Sequence, residues 1–107
     1  WIGCHCHWED RHGIASENGG GKYMYYRDRW PDKLVMITEF SSTSPLLDSQ
    51  SRTQQYLDYY YSLRTRPGIG AAFAFAVSAS AYYPFEVWRS EDGKMRIDAE
   101  AIGARAF

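Results

Sequence analysis

The stretch LVMITEF, residues 34–40, is followed directly by the polar stretch SSTSP, residues 41–45. Apolar and β-branched residues fill this run up to Thr38, which is typical of a buried β-strand. Glu39 lies at the carboxyl end of the run. A carboxylate there costs free energy unless the protein uses it, so Glu39 is the leading candidate for a functional residue.

Two other apolar runs accompany Leu34 to Phe40, namely Ile2 to Trp8 and Ala71 to Val77. The starts of the three runs are separated by roughly the 30 residues that one strand-helix unit occupies. This spacing predicts parallel strands joined by crossover helices, and therefore an α/β fold.

Helical patterns occupy both connections. Residues 22–30 carry aromatics at helical spacing before Pro31. In the second connection, Ser51 and Gln54 have the spacing of a capping box, and an apolar stripe continues to Leu63. Further on, residues 88–97 resemble two short extended pieces around a turn, and Asp98 is predicted to cap a last helix over residues 99–106.

The first run has a clear alternation. His5 and His7 share one face of an extended strand, and Cys4 and Cys6 share the other. Residues two apart on a strand are about 6.6 Å apart between Cα atoms, near the upper limit for a disulfide, so we predict free thiols.

The same alternation in the second run puts Val35, Ile37 and Glu39 on one face. We expect Glu39 to converge with His5 and His7 at the strand ends. The third run, FAFAV at residues 73–77, alternates bulky residues with alanine. That pattern suits a barrel strand whose bulky face packs on outer helices and whose small face points inward.

Composition narrows the choice of partner. The 107 residues suggest one domain, and the net charge of -1 provides no basic field for nucleic acid. Nine Tyr, five Phe and four Trp suit a sugar-like or flat ligand, and equally an ordinary aromatic core. No apolar run approaches the roughly 20 residues needed to span a bilayer, so we expect no membrane partner. Because the chain begins Trp1-Ile2 without an initiator Met, we expect a piece of a longer protein, and the compartment stays open.

The order of these runs resembles a known family. Leu34 to Phe40, with its ITEF core, is similar to the seventh strand of clan A retaining glycoside hydrolases, which are (β/α)8 TIM barrels. His5-Cys6-His7-Trp8 resembles the end of their sixth strand, and Ala71 to Val77 that of their eighth. The resemblance covers nearly the whole chain, as strand-helix units six to eight of the barrel, with the remainder expected upstream.

The resemblance implies that Glu39 is the catalytic nucleophile and that His5 and His7 help to orient it or the sugar. His7 stands where the family commonly has a tyrosine that touches the nucleophile. Many members end the eighth strand with a tryptophan under the sugar. Here, stacking on a carbohydrate substrate is assigned instead to Trp8, Tyr82 or Tyr83.

The clan's acid/base glutamate belongs to the fourth strand, usually after Asn, and this chain has no matching segment. Glu9, Asp10, Glu17 and Glu86 lie in polar loops and are expected to be solvated surface charges. The chain would therefore supply one half of a catalytic pair. Finding a strand that ends in Asn-Glu about 100 or more residues before Glu39 would favour the enzyme, given about 30 residues per barrel unit.

Three other interpretations of these residues compete with this one. Glu39 could be a structural residue at the strand end, capping a helix or pairing with an arginine such as Arg52 or Arg89. A metal centre among Cys4, His5, Cys6, His7 and His12 is disfavoured, because at most two of the four consecutive strand residues can reach one ion. Gly19-Gly20-Gly21-Lys22 lacks the full phosphate-loop pattern and is predicted to be a flexible loop.

The sequence thus predicts a retaining glycoside hydrolase fragment that needs no cofactor or metal. The runner-up is a non-catalytic carbohydrate-binding or structural α/β domain, and a metal-dependent enzyme comes third.

Overall fold

The computed structural model of the chain describes residues 1–78 and 80–104. Three strands, β1 to β3, and three α-helices, α1 to α3, follow one another in the order β1 (Ile2–Trp8), α1 (Tyr23–Arg29), β2 (Val35–Ser42), α2 (Ser49–Arg64), β3 (Ile69–Ala74) and α3 (Ala99–Gly103). Two 3-10 turns, Arg11–Ile14 and Gly20–Lys22, lie between β1 and α1.

The three strands form one parallel sheet in the order β1-β2-β3. Consecutive parallel strands need a crossover connection, and α1 and α2 supply it. The predicted α/β class and the predicted parallel pairing are therefore confirmed. Within the described residues, every helix is too short or too polar to cross a membrane.

The hydrophobic core lies on one face of this sheet. Cys4, Cys6, Val35, Ile37 and Phe40 reach it from β1 and β2. The helices meet them with the following buried side chains: Tyr23, Tyr56, Leu57, Tyr59, Leu63 and Ile102. The opposite face of the sheet carries the polar side chains of His5, His7, Glu39 and Ser41, and we call it the open face.

The strand bounds differ slightly from the prediction. β1 covers the predicted residues, whereas β2 continues two residues beyond Phe40, because Ser41 and Ser42 still pair with β1. β3 ends at Ala74 rather than residue 77. Ala76 has a φ of 52°, which an extended strand does not accommodate.

The start of α2 was predicted wrongly. The helix begins at Ser49, and its N-cap is Asp48, whose carboxylate accepts a hydrogen bond from Ser51 N at 2.7 Å. Aspartate is as good an N-cap as serine, so the earlier Asp48 takes the place assigned to Ser51. The apolar stripe is buried as expected at Tyr56, Leu57 and Leu63.

The last segment follows the prediction except that α3 ends at Gly103, with Ala104 as its C-cap. Arg89 and Met95 form an antiparallel bridge around the turn at residues 91–94. Asp98 caps α3 by accepting from Ala101 N at 2.8 Å. The helix was expected to run to residue 106, and residues 105–107 lie outside the described part.

The glycine-rich segment was predicted to be a flexible loop, but its end forms the 3-10 turn Gly20–Lys22, which is packed against the rest of the fold. Gly20 and Gly21 are buried, and the phenol of Tyr59 donates to Gly20 O at 2.8 Å. A Cβ built on Gly20 would lie 2.2 Å from the carbonyl oxygen of Ile14. Gly20 therefore allows the backbone to approach the 3-10 turn Arg11–Ile14 closely.

Candidate functional site

A β-bulge turns Glu39 onto the open face. Cys4 pairs with Ile37, but the next residue of β1, His5, pairs with Glu39, so Thr38 is an extra residue in β2. A bulge of this kind shifts the alternation of a strand by one residue. Ile37 is fully buried in the helix-side core, whereas Glu39 contacts the histidines of β1. The expectation that Val35, Ile37 and Glu39 share a face is therefore wrong.

Glu39 meets both predicted histidines. Its Oε2 lies 3.2 Å from His5 Nδ1 and 3.6 Å from His7 Nε2. The Glu39 side chain is 33% exposed, so solvent or a ligand can still reach the carboxylate. Cys4 and Cys6 point the other way, into the core, and are free thiols, as predicted.

A second carboxylate lies behind His7. Ser41 Oγ donates to Glu86 Oε1 at 2.8 Å and lies 2.7 Å from His7 Nδ1. A serine hydroxyl has one proton, and Glu86 accepts it, so His7 Nδ1 must be the donor to Ser41. The hydrogen bonds thus select the tautomer of His7 that carries its proton on Nδ1.

The surroundings of His7 favour its neutral form. Burial lowers its pKa below the ordinary value of 6.5, and this effect outweighs the charges of Glu86 and Glu39, which raise it. The neutral ring, protonated on Nδ1, has its lone pair on Nε2. That lone pair lies on the nitrogen nearest to Glu39.

Aromatic side chains border the site on the β3 side. The ring of Phe75 packs edge-on against His7, with 5.7 Å between centroids, and against Tyr83, with 4.9 Å. Tyr82 is 90% exposed. Of the predicted sugar-stacking residues, Tyr83 therefore has the clearest link to the histidines, because its ring contacts Phe75, which contacts His7.

Trp8 does not reach the open face. It is 3% exposed, and its ring packs in the core against Phe40, Tyr56 and Tyr59. Its indole nitrogen donates to Gln55 Oε1 at 2.8 Å. The ring therefore has no exposed surface on which a sugar could stack. The alternation of β1 indicates this, because Trp8 has the same parity as Cys4 and Cys6.

The side chains of β3 also face opposite to the prediction. Ala72 and Ala74 pack against the helix-side core, whereas Phe73 is 57% exposed and Phe75 contacts His7. The small alanines fit there because the large aromatics of α2 and β2 already fill the core.

Arg52 is not the partner of Glu39. It is fully buried, and its two terminal nitrogens donate to the carbonyls of Ser42 and Ser44 at 2.7 and 2.6 Å. Arg89, the other proposed partner, lies in the hairpin with Met95. The contacts of Glu39 are the two imidazoles instead.

The loop carboxylates divide into two groups. Glu9, Asp10 and Glu17 are exposed, as expected, and Asp10 caps a 3-10 turn by accepting from Gly13 N. The Glu86 side chain is only 13% exposed, so the expectation of a solvated surface charge is wrong there. Its burial follows from the contacts with Ser41 and His7.

Neither Ser41 nor Glu86 was predicted to be a site residue, yet both contact His7. The pairing of Ser41 with His7 across β1 and β2 could have been inferred from a parallel register, because Ser41 has the parity of Glu39. Glu86 lies in an irregular loop, where no periodicity indicates which side chains turn inward.

No protein-family model, no curated protein and no solved structure matches this chain.

Proposed function

We propose that this chain carries the nucleophile half of a retaining glycoside hydrolase site and acts on a carbohydrate. The observation that carries the proposal is Glu39, a partly exposed carboxylate on the open face of a parallel sheet, with imidazoles at 3.2 and 3.6 Å. In parallel α/β folds, ligands bind near the carboxyl ends of the strands, and Glu39 lies in the carboxyl-terminal half of β2, which runs from Val35 to Ser42.

The chemistry assigns a role to each group. In a retaining glycosidase one carboxylate attacks the anomeric carbon, and a second carboxyl group about 5 to 5.5 Å away protonates the leaving oxygen. Glu39 is the attacking group in this proposal. His5, whose Nδ1 lies 3.2 Å from Glu39 Oε2 and can donate a hydrogen bond to it, orients the carboxylate.

Glu86 has a positioning role here rather than that of the second carboxyl group. The ring of His7 lies between the two carboxylates, with Nε2 near Glu39 and Nδ1 near Glu86. Glu86 and Ser41 therefore hold the imidazole in place. The acid comes from another strand of the barrel, in which β1, β2 and β3 are the sixth to eighth strands.

A covalent trap tests the nucleophile without the missing acid. Dinitrophenyl 2-deoxy-2-fluoro glycosides carry a leaving group that departs without protonation, so the chain can be tested as it stands. We expect one of a gluco, galacto, manno and xylo panel to add one glycosyl mass, located by peptide mass spectrometry at Glu39.

Glu39→Gln should abolish this label, while Glu9→Gln, a change at an exposed carboxylate, should retain it. Equal labelling of the Glu39→Gln chain, or no label with the whole panel, would contradict the proposal. Sugar binding without a label would favour the non-catalytic carbohydrate-binding domain.

In a longer chain that contains the acid strand, Glu39→Gln should nearly abolish turnover of an aryl glycoside and leave sugar binding close to normal. The amide keeps the shape of the side chain but cannot form the glycosyl-enzyme bond. Full activity of this variant would contradict the nucleophile assignment.

A further inference from the structure

We propose that His5, His7 and Glu39 form a binding site for a divalent first-row transition-metal ion, with Zn²⁺ as the best fit. This inference does not rest on the proposed glycosidase function, because it requires only the positions of the three side chains. The sequence disfavoured a metal site because at most two consecutive residues of β1 can reach one ion. Here the third ligand, Glu39, comes from β2 instead.

The ligand atoms have the spacing of a metal centre. Each of the three residues offers one ligand atom, and these atoms all lie within 4.8 Å of one another. Zinc bonds of about 2.0 to 2.2 Å in a tetrahedron place neighbouring ligand atoms roughly 3.4 Å apart. The two distances from Glu39 Oε2, 3.2 Å to His5 and 3.6 Å to His7, lie on either side of this value.

The hydrogen bonds around His7 prepare it as a ligand. A histidine that binds a metal through one nitrogen usually donates its other N–H to a carboxylate, carbonyl or similar acceptor. His7 donates from Nδ1 to Ser41, which in turn donates to the mostly buried Glu86. Nε2 is thereby left with a lone pair directed to the side on which Glu39 lies.

Without a cation, the contact between His7 and Glu39 is unfavourable. With its proton on Nδ1, His7 has no proton on Nε2 to donate to the carboxylate oxygen of Glu39, 3.6 Å away. A bound cation removes this conflict by accepting both lone pairs.

The donor set selects the kind of ion. Two imidazoles and one carboxylate suit zinc and the other first-row transition metals, whereas Mg²⁺ and Ca²⁺ prefer oxygen ligands alone. Catalytic zinc sites commonly use three protein ligands and keep a position open for water. The exposure of the His5 side chain, 54%, leaves room for such a water.

A bound ion and the proposed nucleophile exclude each other. A carboxylate that shares its electron pair with a metal is a poor nucleophile, so metal binding should inhibit any glycosyl transfer to Glu39. Metal affinity and covalent labelling are measured separately, so either result can fail while the other stands.

Isothermal titration with Zn²⁺ tests the site in the unmodified chain. We expect one equivalent to bind, and we expect at least a tenfold loss of affinity in His7→Gln and in Glu39→Gln. His12→Gln, which removes an exposed histidine outside the cluster, should bind as the parent does. Ser41→Ala should weaken binding by about 10- to 100-fold, the typical effect of removing the partner of a metal-bound histidine.

Cobalt spectroscopy separates this site from the two cysteines. Co²⁺ bound by nitrogen and oxygen should give visible d–d absorption without the near-ultraviolet band of a cobalt–thiolate bond. Circular dichroism and thermal melting of each variant confirm its fold, and Zn²⁺ should raise the melting temperature of the parent but not of Glu39→Gln.

The inference would be overturned by unchanged Zn²⁺ affinity in both His7→Gln and Glu39→Gln, or by a cobalt–thiolate band. It would also be overturned if the chain did not bind Zn²⁺ at 1 mM, or bound Mg²⁺ as tightly as Zn²⁺.

Discussion

Ile37 and Glu39 lie two residues apart in the same strand and yet face opposite sides of the sheet. Ile37 is fully buried in the helix-side core, while the carboxylate of Glu39 lies 3.2 Å from His5 Nδ1 on the open face. The extra residue, Thr38, accounts for the difference, because β2 has one more residue than β1 at this point. β3 shows the same mismatch, since its register also shifts between Ile37 and Phe40.

Deleting Thr38 should therefore leave a regular strand. Ile37 would keep its pairing with Cys4 and Glu39 its pairing with His5, so the core should be preserved. We expect cooperative chemical unfolding with a loss of less than about 1.5 kcal/mol, because no buried side chain is removed.

Deleting Ile37 is the matched control. It would shift Thr38 into the core position of a fully buried residue and should cost several kcal/mol, roughly 2 to 5 kcal/mol. If the two deletions destabilise the chain equally, the bulge assignment is wrong.

Arg52 should be a major source of stability for the end of β2. Arg52→Met removes the donors to the carbonyls of Ser42 and Ser44 and leaves these groups without their partner. We expect the free energy of unfolding to fall by about 2 to 4 kcal/mol, since each buried group without a hydrogen bond costs about 1 to 3 kcal/mol.

Arg11→Met provides the comparison for urea unfolding. The Arg11 side chain is 75% exposed and pairs with Asp58 at 3.1 Å, a surface contact worth about 0 to 1 kcal/mol. If Arg52→Met lowers the free energy of unfolding as little as Arg11→Met does, the buried guanidinium contributes little to stability.

Tyr56 should make the fold sensitive to alkali. Burial raises the pKa of Tyr56 from 10.0 to about 12. Between these values the unfolded state has lost a proton that the folded state retains, so stability falls as pH rises from 10 towards 12. A shift of two units corresponds to about 3 kcal/mol.

Urea unfolding from pH 8 to 12 measures this effect. In Tyr56→Phe the free energy of unfolding should fall less steeply above pH 10 than in the parent. The variant also loses the hydrogen bond from Ser42 N, which lowers its stability equally at every pH. Tyr82→Phe, at an exposed ring, should leave the decline unchanged. Parallel curves for the parent and Tyr56→Phe would refute the link between this phenol and alkaline unfolding.

Local patterns were enough to predict much of the fold. The apolar run Ile2–Trp8 became β1 with the predicted bounds, and its alternation correctly separated His5 and His7 from Cys4 and Cys6. These features depend on residues close in sequence, whose period of two is a property of the extended backbone.

The detail of the candidate site required long-range contacts. The convergence of Glu39 with His5 and His7 was predicted, but on the wrong assumption that β2 is regular. The bulge exists only in relation to the neighbouring strands, so no pattern within residues 34–40 reveals it.

Local sequence patterns encode the order of the elements, the parallel α/β class and the pair of histidines on one face, because strand alternation and element length depend on neighbouring residues. Long-range packing sets the face that Glu39 occupies, the burial of Glu86 behind His7, and the hydrogen bond from Arg52 to a backbone carbonyl of β2. Hydrogen-bond partners and burial depend on which distant segments pack together, and such packing can override the preferences of any single strand or loop.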